Sequence, residues 1–327
     1  MNPFTYSRAN DADAAISQVA DGKFLGGGTN LIDLMKMGVE KPSRLVDINK
    51  LPLAQIEQLP DGGVRIGALA RNSDVADHEL VKSRYSLLSE SLVAGASPQL
   101  RNMATVGGNL MQRTRCFYFY DPAFPQCNKR QPGSGCGALE GFNRIHAILG
   151  QSDQCIATHP SDMCVALAAL DAVVRVKGRE REREIPFADF HRLPGNTPNI
   201  DTNLGADELI TAVDLPPIAS GTHSHYLKVR DRATYAFALV SVAAILDLDE
   251  SKAIRNVRLA LGGVAHKPWR ALKAERQLVG KPANEETFRA AAEAELAEAK
   301  AYQHNGFKIE LAKRAITRAL TTISKMT

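Results

Sequence analysis

The chain has 327 residues, 44% hydrophobic and 23% charged, with five cysteines and a formal net charge of +4. That length exceeds one ordinary core, so two or three domains are expected, and the small, dispersed positive charge gives no basis for nucleic-acid binding. No apolar run reaches membrane-spanning length, and Met1-Asn2-Pro3-Phe4 begins nothing like a signal peptide, so no membrane span and no export address are expected.

Residues 11–19 read as a helix with Ala15, Ile16 and Val19 on one side. Phe24-Leu25 is a short strand that runs into Gly26-Gly27-Gly28. Thr29 or Asn30 then offers an N-cap to a helix carrying Leu31, Ile32, Leu34 and Met35, with Asp33 near capping-box spacing and Gly38 as terminator. A glycine run at a strand-to-helix junction leaves backbone N–H groups unshielded beside a positive helix end, which suits a phosphate. A plain tight turn reads the same way, because neither G-x-G-x-x-G nor a Walker Lys-Ser/Thr pair is present. Residues 45–48 are a second strand, so the first fifty residues form a small strand–helix–strand lobe.

Residues 64–68 are a further strand, and Ser73 is placed to cap a helix running to about residue 81. Leu87, Leu88, Ser91 and Leu92 keep helical spacing up to Gly95. A second glycine element, Arg101-Asn102-Met103-Ala104-Thr105-Val106-Gly107-Gly108-Asn109-Leu110, repeats the hydroxyl, glycines and amide of the first at a turn. Residues 162–170 read as a helix and 172–176 as a strand. Residues 177–184 carry both signs of charge and read as a solvated hairpin turn. Residues 208–215 form the last strand of this lobe, and Pro216-Pro217 through Gly221 mark a boundary. Beyond it lie strands at 226–229, 238–246 and 257–261 and helices at 271–278, 285–300 and 309–323. Two domains follow, 1–218 (lobes 1–50 and 51–218) and 222–327, the second a small sheet of three or four strands backed by helices.

Cys116, Cys127, Cys136 and Cys155 fall within one 40-residue window. Without an export signal, that favours metal or cluster ligation over a disulfide framework. The segment around them, 113–158, has too few periodic apolar residues for a core of its own, and a loop that long calls for a function or a staple. Structural zinc favours short C-x2-4-C pairs, whereas the spacings here are ten, eight and eighteen intervening residues. A [4Fe–4S] cluster takes ligands from all sides and tolerates irregular spacing, so it is the preferred occupant, with zinc and disulfides as the alternatives. Cys164, among Met163, Val165 and Leu167, reads as a small buried hydrophobe. His159 reads as a turn-stabilising residue.

The two glycine elements, followed by His159-Pro160-Ser161-Asp162-Met163 and Tyr226-Leu227-Lys228, stand in an order that resembles the FAD-binding subunit of the xanthine dehydrogenase and aldehyde oxidase family of molybdenum hydroxylases. The resemblance runs from about Phe4 to the C-terminus and is nearest to the aldehyde oxidoreductase branch. It implies an α+β chain: a two-lobed FAD-binding domain of the PCMH/VAO type, then a C-terminal domain of the CO dehydrogenase flavoprotein type. It implies FAD bound by Gly26, Gly27, Gly28, Thr29, Asn30, Leu31, Ile32, Thr105, Gly108 and Asn109, the glycines bringing N–H groups against the pyrophosphate. Asp162 would hydrogen-bond the flavin, Ile210 would touch the isoalloxazine, and Lys228 would lie near the ring, where a cation favours reduced anionic flavin. The family usually joins Gly108 to Asp162 by a shorter connection, so 113–158 looks like an insertion. The 4-hydroxybenzoyl-CoA reductase flavoprotein subunit, a family member, carries a four-cysteine insertion that holds a [4Fe–4S] cluster.

The same resemblance implies a heterotrimer with a molybdenum-cofactor large subunit and a [2Fe–2S] small subunit, electrons passing through FAD to an external acceptor, and no catalytic residue on this chain. By the resembled enzymes the location is periplasmic, through co-export with a signal-bearing partner, the cytoplasm being the alternative. Two rivals stand beside this reading: a self-contained flavoenzyme of the same fold, and a non-catalytic metal-stapled assembly protein.

Overall fold

A computed structural model describes residues 1–219 and 222–326. The chain is α+β and builds three sheets in chain order. In the first, β1 (Thr5–Arg8) and β2 (Lys23–Leu25) flank β3 (Arg44–Asp47), and both pair with it in parallel. The helix Ala12–Gln18 starts where the Asp11 carboxylate accepts from the Ala14 N–H at 2.7 Å, and it buries Ala15 and Ile16. Strand β1 carries no apolar alternation and is mostly exposed, which is why periodicity misses it.

The second sheet is antiparallel, in the order β4-β5-β8-β6-β7, from β4 (Ile56–Gln58), β5 (Val64–Gly67), β6 (Val173–Lys177), β7 (Glu182–Pro186) and β8 (Leu209–Leu215). Central β8 is buried at six of its seven positions, and its Asp214 accepts from Arg65 and Arg175 on both flanking strands at 2.8 and 2.6 Å. The charged run 177–184 forms the ends of β6 and β7 with the turn between them, as expected. The single helix expected from Ser73 to about residue 81 is instead two, Asn72–Asp77 and Glu79–Arg84, broken at His78, whose ψ of 134° is extended. Ser73 lies inside the first of these and gives its hydroxyl to Asn102 Oδ1, so it is no cap.

The third sheet, β12-β11-β10-β9, is antiparallel and comprises β9 (His223–Val229), β10 (Val240–Leu248), β11 (Ile254–Gly262) and β12 (Trp269–Arg270). The helices Glu285–Leu296 and Phe307–Ile323 cover it through Phe288, Ala292, Ile316 and Leu320. Ser220 and Gly221 of the expected boundary, and Thr327, lie outside the described residues.

The helix Asp162–Ala169 is buried at all eight positions because it is packed between the second and third sheets. Gly262 makes that contact possible: a Cβ there would stand 2.3 Å from Ser241 Oγ and 2.6 Å from Val165 Cγ2. Gly262→Ala should therefore lower the stability of the chain by about 1–3 kcal/mol. Chemical denaturation checks this, and an unchanged midpoint would show that the Val165 helix yields without cost.

Candidate functional site

A cleft of about 590 Å³ opens between the small lobe and the larger one, within the range of small-molecule and cofactor sites. Gly26, Gly27, Gly28, Thr29, Asn30 and Leu31 line it, together with Thr105, Gly107, Gly108 and Ile210. The two glycine elements touch. A Cβ on Gly27 would stand 1.9 Å from the Met103 carbonyl oxygen, and one on Gly26 would stand 3.1 Å from Thr105 Oγ1. The missing side chain at Gly27 thus serves the approach of one turn to the other, rather than keeping space clear for a ligand. Gly28 has φ +74°, the left-handed region that glycine adopts without strain.

The two turns differ in their hydrogen bonding. From Gly27 through Leu31, the backbone N–H groups have no acceptor among the described residues, whereas those of Val106, Gly107, Gly108 and Asn109 in the second element are satisfied within the chain. Val106 and Gly107 donate to the Ala70 and Ala68 carbonyls, and Gly108 donates to Thr105 Oγ1 at 3.1 Å. The first turn has free N–H groups that can accept an anion, and the second packs against it as a buttress. The helix Leu31–Lys36 begins at Asn30, but without the expected cap. The Asn30 amide is used elsewhere, accepting from Arg113 N at 2.9 Å and donating to Tyr120 Oη at 3.1 Å. Both partners belong to the cysteine-bearing segment.

Arg113 closes the cleft. Its guanidinium donates to Glu40 of the small lobe at 2.5 Å and to Asp201 of the larger lobe at 2.8 Å, and all three line the cleft. Lys129, only 1% exposed, gives its ammonium to the same Asp201 and to the Pro198 carbonyl. Burial alone would raise the Asp201 carboxyl, but Lys129 and Arg113 hold it well below the ordinary carboxylate range. His191 also lines the cleft, and its Nε2 donates to the Leu110 carbonyl at 2.9 Å. Burial lowers it to about 4, so the ring is neutral at physiological pH.

Cys116, Cys127, Cys136 and Cys155 line one small space, and all four are free thiols. Among the described residues, no three of their sulfurs lie within 4.8 Å of one another, whereas a tetrahedral zinc site holds its sulfurs about 3.8 Å apart. Backbone N–H groups point at the sulfurs: Phe119 and Tyr118 at Cys116, Ala138, Ile156 and Leu139 at Cys136, and Ala157 at Cys155. Burial pushes the Cys155 thiol up to about 11 and Cys116 further, so these sulfurs become thiolates only with a cation to hold them. The segment does pack some apolar surface, since Leu34, Phe119 and Ala157 join three of the cysteines in a small cluster.

Four residues expected at the cofactor lie off the cleft. Ile32 is not among the lining residues, and Asn109 accepts from the Ser161 hydroxyl at 2.7 Å. Asp162 and Lys228 pair with each other at 2.7 Å, 8% and 4% exposed, with Tyr226 Oη also donating to Asp162 and Lys228 also donating to the Ala94 carbonyl. Lys228 is therefore no free cation. Cys164 is fully buried, as expected, with ring nitrogens of His159 and His191 within 4.8 Å of its sulfur. Arg113, Glu40, Lys129, Asp201 and His191 escaped the sequence reading, because their pairings span up to 88 residues and leave no local pattern.

The family described as the FAD binding domain in molybdopterin dehydrogenase matches residues 2–218, and that described as the CO dehydrogenase flavoprotein C-terminal domain matches residues 225–323. The chain is 55% identical over 325 residues to the aldehyde oxidoreductase FAD-binding subunit PaoB of Escherichia coli K12, covering 98% of each. It is 30% identical to the glyceraldehyde dehydrogenase medium chain of Sulfolobus acidocaldarius, over 86% of this chain and 83% of that one. Among solved structures, a carbon monoxide dehydrogenase from Hydrogenophaga pseudoflava superposes with a TM-score of 0.77 at 25% identity, covering 98% of this chain and 97% of that one. The chain belongs to the FAD-binding medium subunits of the molybdenum hydroxylase family.

Proposed function

We propose that this chain is the electron-transfer flavoprotein subunit of an aldehyde oxidoreductase-type complex. Substrate oxidation takes place on a molybdenum-cofactor partner, and electrons arrive from [2Fe–2S] centres of another partner and leave to an external acceptor. When bound, FAD supplies one-electron uptake and one- or two-electron release. The observation that carries the reading is the open N–H turn from Gly27 to Leu31 in a cleft of cofactor size. The backbone donors hold the pyrophosphate, Thr105 and Gly108 form the facing wall, and Ile210 supplies an apolar surface within. The relatives support it through their names, which are those of FAD-binding subunits and medium chains of larger enzymes.

The same proposal places a [4Fe–4S] cluster on Cys116, Cys127, Cys136 and Cys155. Its support is the convergence of four free thiols on one space, sulfurs too far apart for a zinc tetrahedron, and backbone donors aimed at three of them. Lys228 enters only through its pairing with Asp162: removing its charge would leave a carboxylate buried and unpaired, at a cost of about 3–5 kcal/mol.

Three experiments test this. Mixed with an aldehyde, the isolated FAD-loaded chain should keep an oxidised flavin spectrum and bleach only when the partner subunits are added. Bleaching by the chain alone would favour the self-contained flavoenzyme. Gly27→Ala, by forcing the turn away from the Met103 carbonyl, should reduce FAD occupancy severalfold. Wild-type occupancy would show that the two turns need not touch. Cys155→Ser should lose iron and open 113–158 to proteolysis, while Cys164→Ser keeps its iron at a modest stability cost. The reverse pattern would reassign the ligands.

A further inference from the structure

We infer that His146 is a positioning residue of the cysteine centre, donating a hydrogen bond to Cys116 Sγ that raises the reduction potential of the cluster. The inference rests on the [4Fe–4S] reading above. His146 Nε2 lies 3.1 Å from Cys116 Sγ, with the ring 1% exposed. Among the described residues it is the only side chain hydrogen-bonded to any of the four sulfurs, the remaining donors being backbone N–H groups. Nδ1 is buried and has no partner. A neutral imidazole carries one N–H; toward Cys116 as a ligating thiolate, which has no proton to give, only the tautomer with that proton on Nε2 makes a hydrogen bond.

The ring is held from outside the segment. The His146 N–H donates to the Asn143 carbonyl at 3.0 Å, and Asn143 Oδ1 accepts from His304 N at 2.9 Å. The His146 carbonyl accepts from Lys308 Nζ at 2.9 Å and from Asn305 Nδ2 at 3.4 Å. Lys308 is fully buried and has no carboxylate partner among the described residues, and its Nζ also reaches the Ile145 and Gly263 carbonyls. The C-terminal domain, which contributes none of the residues assigned to FAD or cysteine ligation apart from Lys228, thereby fixes the orientation of a ring against the cysteine centre. That gives residues 304–308 a task that packing alone does not require.

The chemistry follows from charge. Reduction adds one electron to the cluster from a titrant such as dithionite. No bond breaks, and the His146 proton stays on Nε2. The added charge spreads onto the ligand sulfurs, so a donor at Cys116 Sγ stabilises the reduced state more than the oxidised one. Hydrogen bonds to charged groups are stronger than those between neutral ones, and only the difference between the two redox states counts here. A tenfold shift in the oxidised-to-reduced ratio, about 59 mV for a one-electron couple, is the expected scale.

The test is an EPR-monitored redox titration of the complete chain, purified without oxygen, with iron quantified in each variant. His146→Leu should keep its iron and titrate at a lower potential, the ratio shifted about tenfold. His146→Gln, whose amide retains a donor, should titrate closer to wild type. Loss of iron from His146→Leu alone, with His146→Gln loaded and near the wild-type potential, also supports a required donor. An unchanged or raised potential in iron-loaded His146→Leu overturns the inference. So does a glutamine variant no nearer to wild type than the leucine one, or iron loss from both. A wild-type chain without iron instead overturns the cluster reading on which the inference stands.

Discussion

The architecture of the site depends on one carboxylate. Asp201 takes a guanidinium from Arg113 and an ammonium from Lys129, and both cations belong to the cysteine-bearing segment. Arg113 spans the cleft to Glu40, while Lys129 lines the space shared by the four cysteines. Asn30 adds a third tie, binding the first glycine turn to Arg113 and Tyr120. An arrangement of this kind is sensitive to loss of one member, because the partners left behind are largely enclosed charges without compensation. The loop that would hold a cluster and the cleft that would hold a flavin are therefore mechanically one unit.

Within that unit the two glycine elements divide the work. The first keeps its N–H groups open, and the second, satisfied by Thr105, Ala68 and Ala70, presents a closed surface for the first to lean on. Close approach of two backbones explains Gly27 more directly than ligand clearance does. The buried Asp162–Lys228 pair lies behind this arrangement and joins β9 of the C-terminal domain to the helix Asp162–Ala169. The C-terminal domain thus reaches the site through that ion pair, through Lys308 and Asn305 beneath His146, and through His266, whose Nε2 lies 3.7 Å from Asp201.

Elements with strong local signals were legible in the sequence. The helix from Ala12, the buried helix from Asp162, strand β8 and the three C-terminal helices all follow from periodicity and capping. Strand β1 was not legible, since its stability comes from pairing with β3 and not from its own apolar residues. The break at His78 was hidden too, because no glycine or proline between residues 72 and 84 marks a stop. At the site, the glycine turns and the cysteines announced themselves by composition. The side chains that bind them together, Asn30, Arg113, Lys129, His146 and Asp201, act across dozens of residues and are visible only once the chain is folded. Asn30 shows the limit well: its position suggested a cap, and its long-range partners outcompeted that local role.

The central claim is that one chain carries a flavin and an iron–sulfur centre on a shared frame. Metal and flavin content of the wild-type chain, prepared without oxygen, tests it most directly, read together with the optical and EPR spectra. The account predicts one FAD and about four irons per chain, with a flavin spectrum and an EPR signal that appears on reduction. A colourless chain, or one containing a single zinc and no iron, would contradict it.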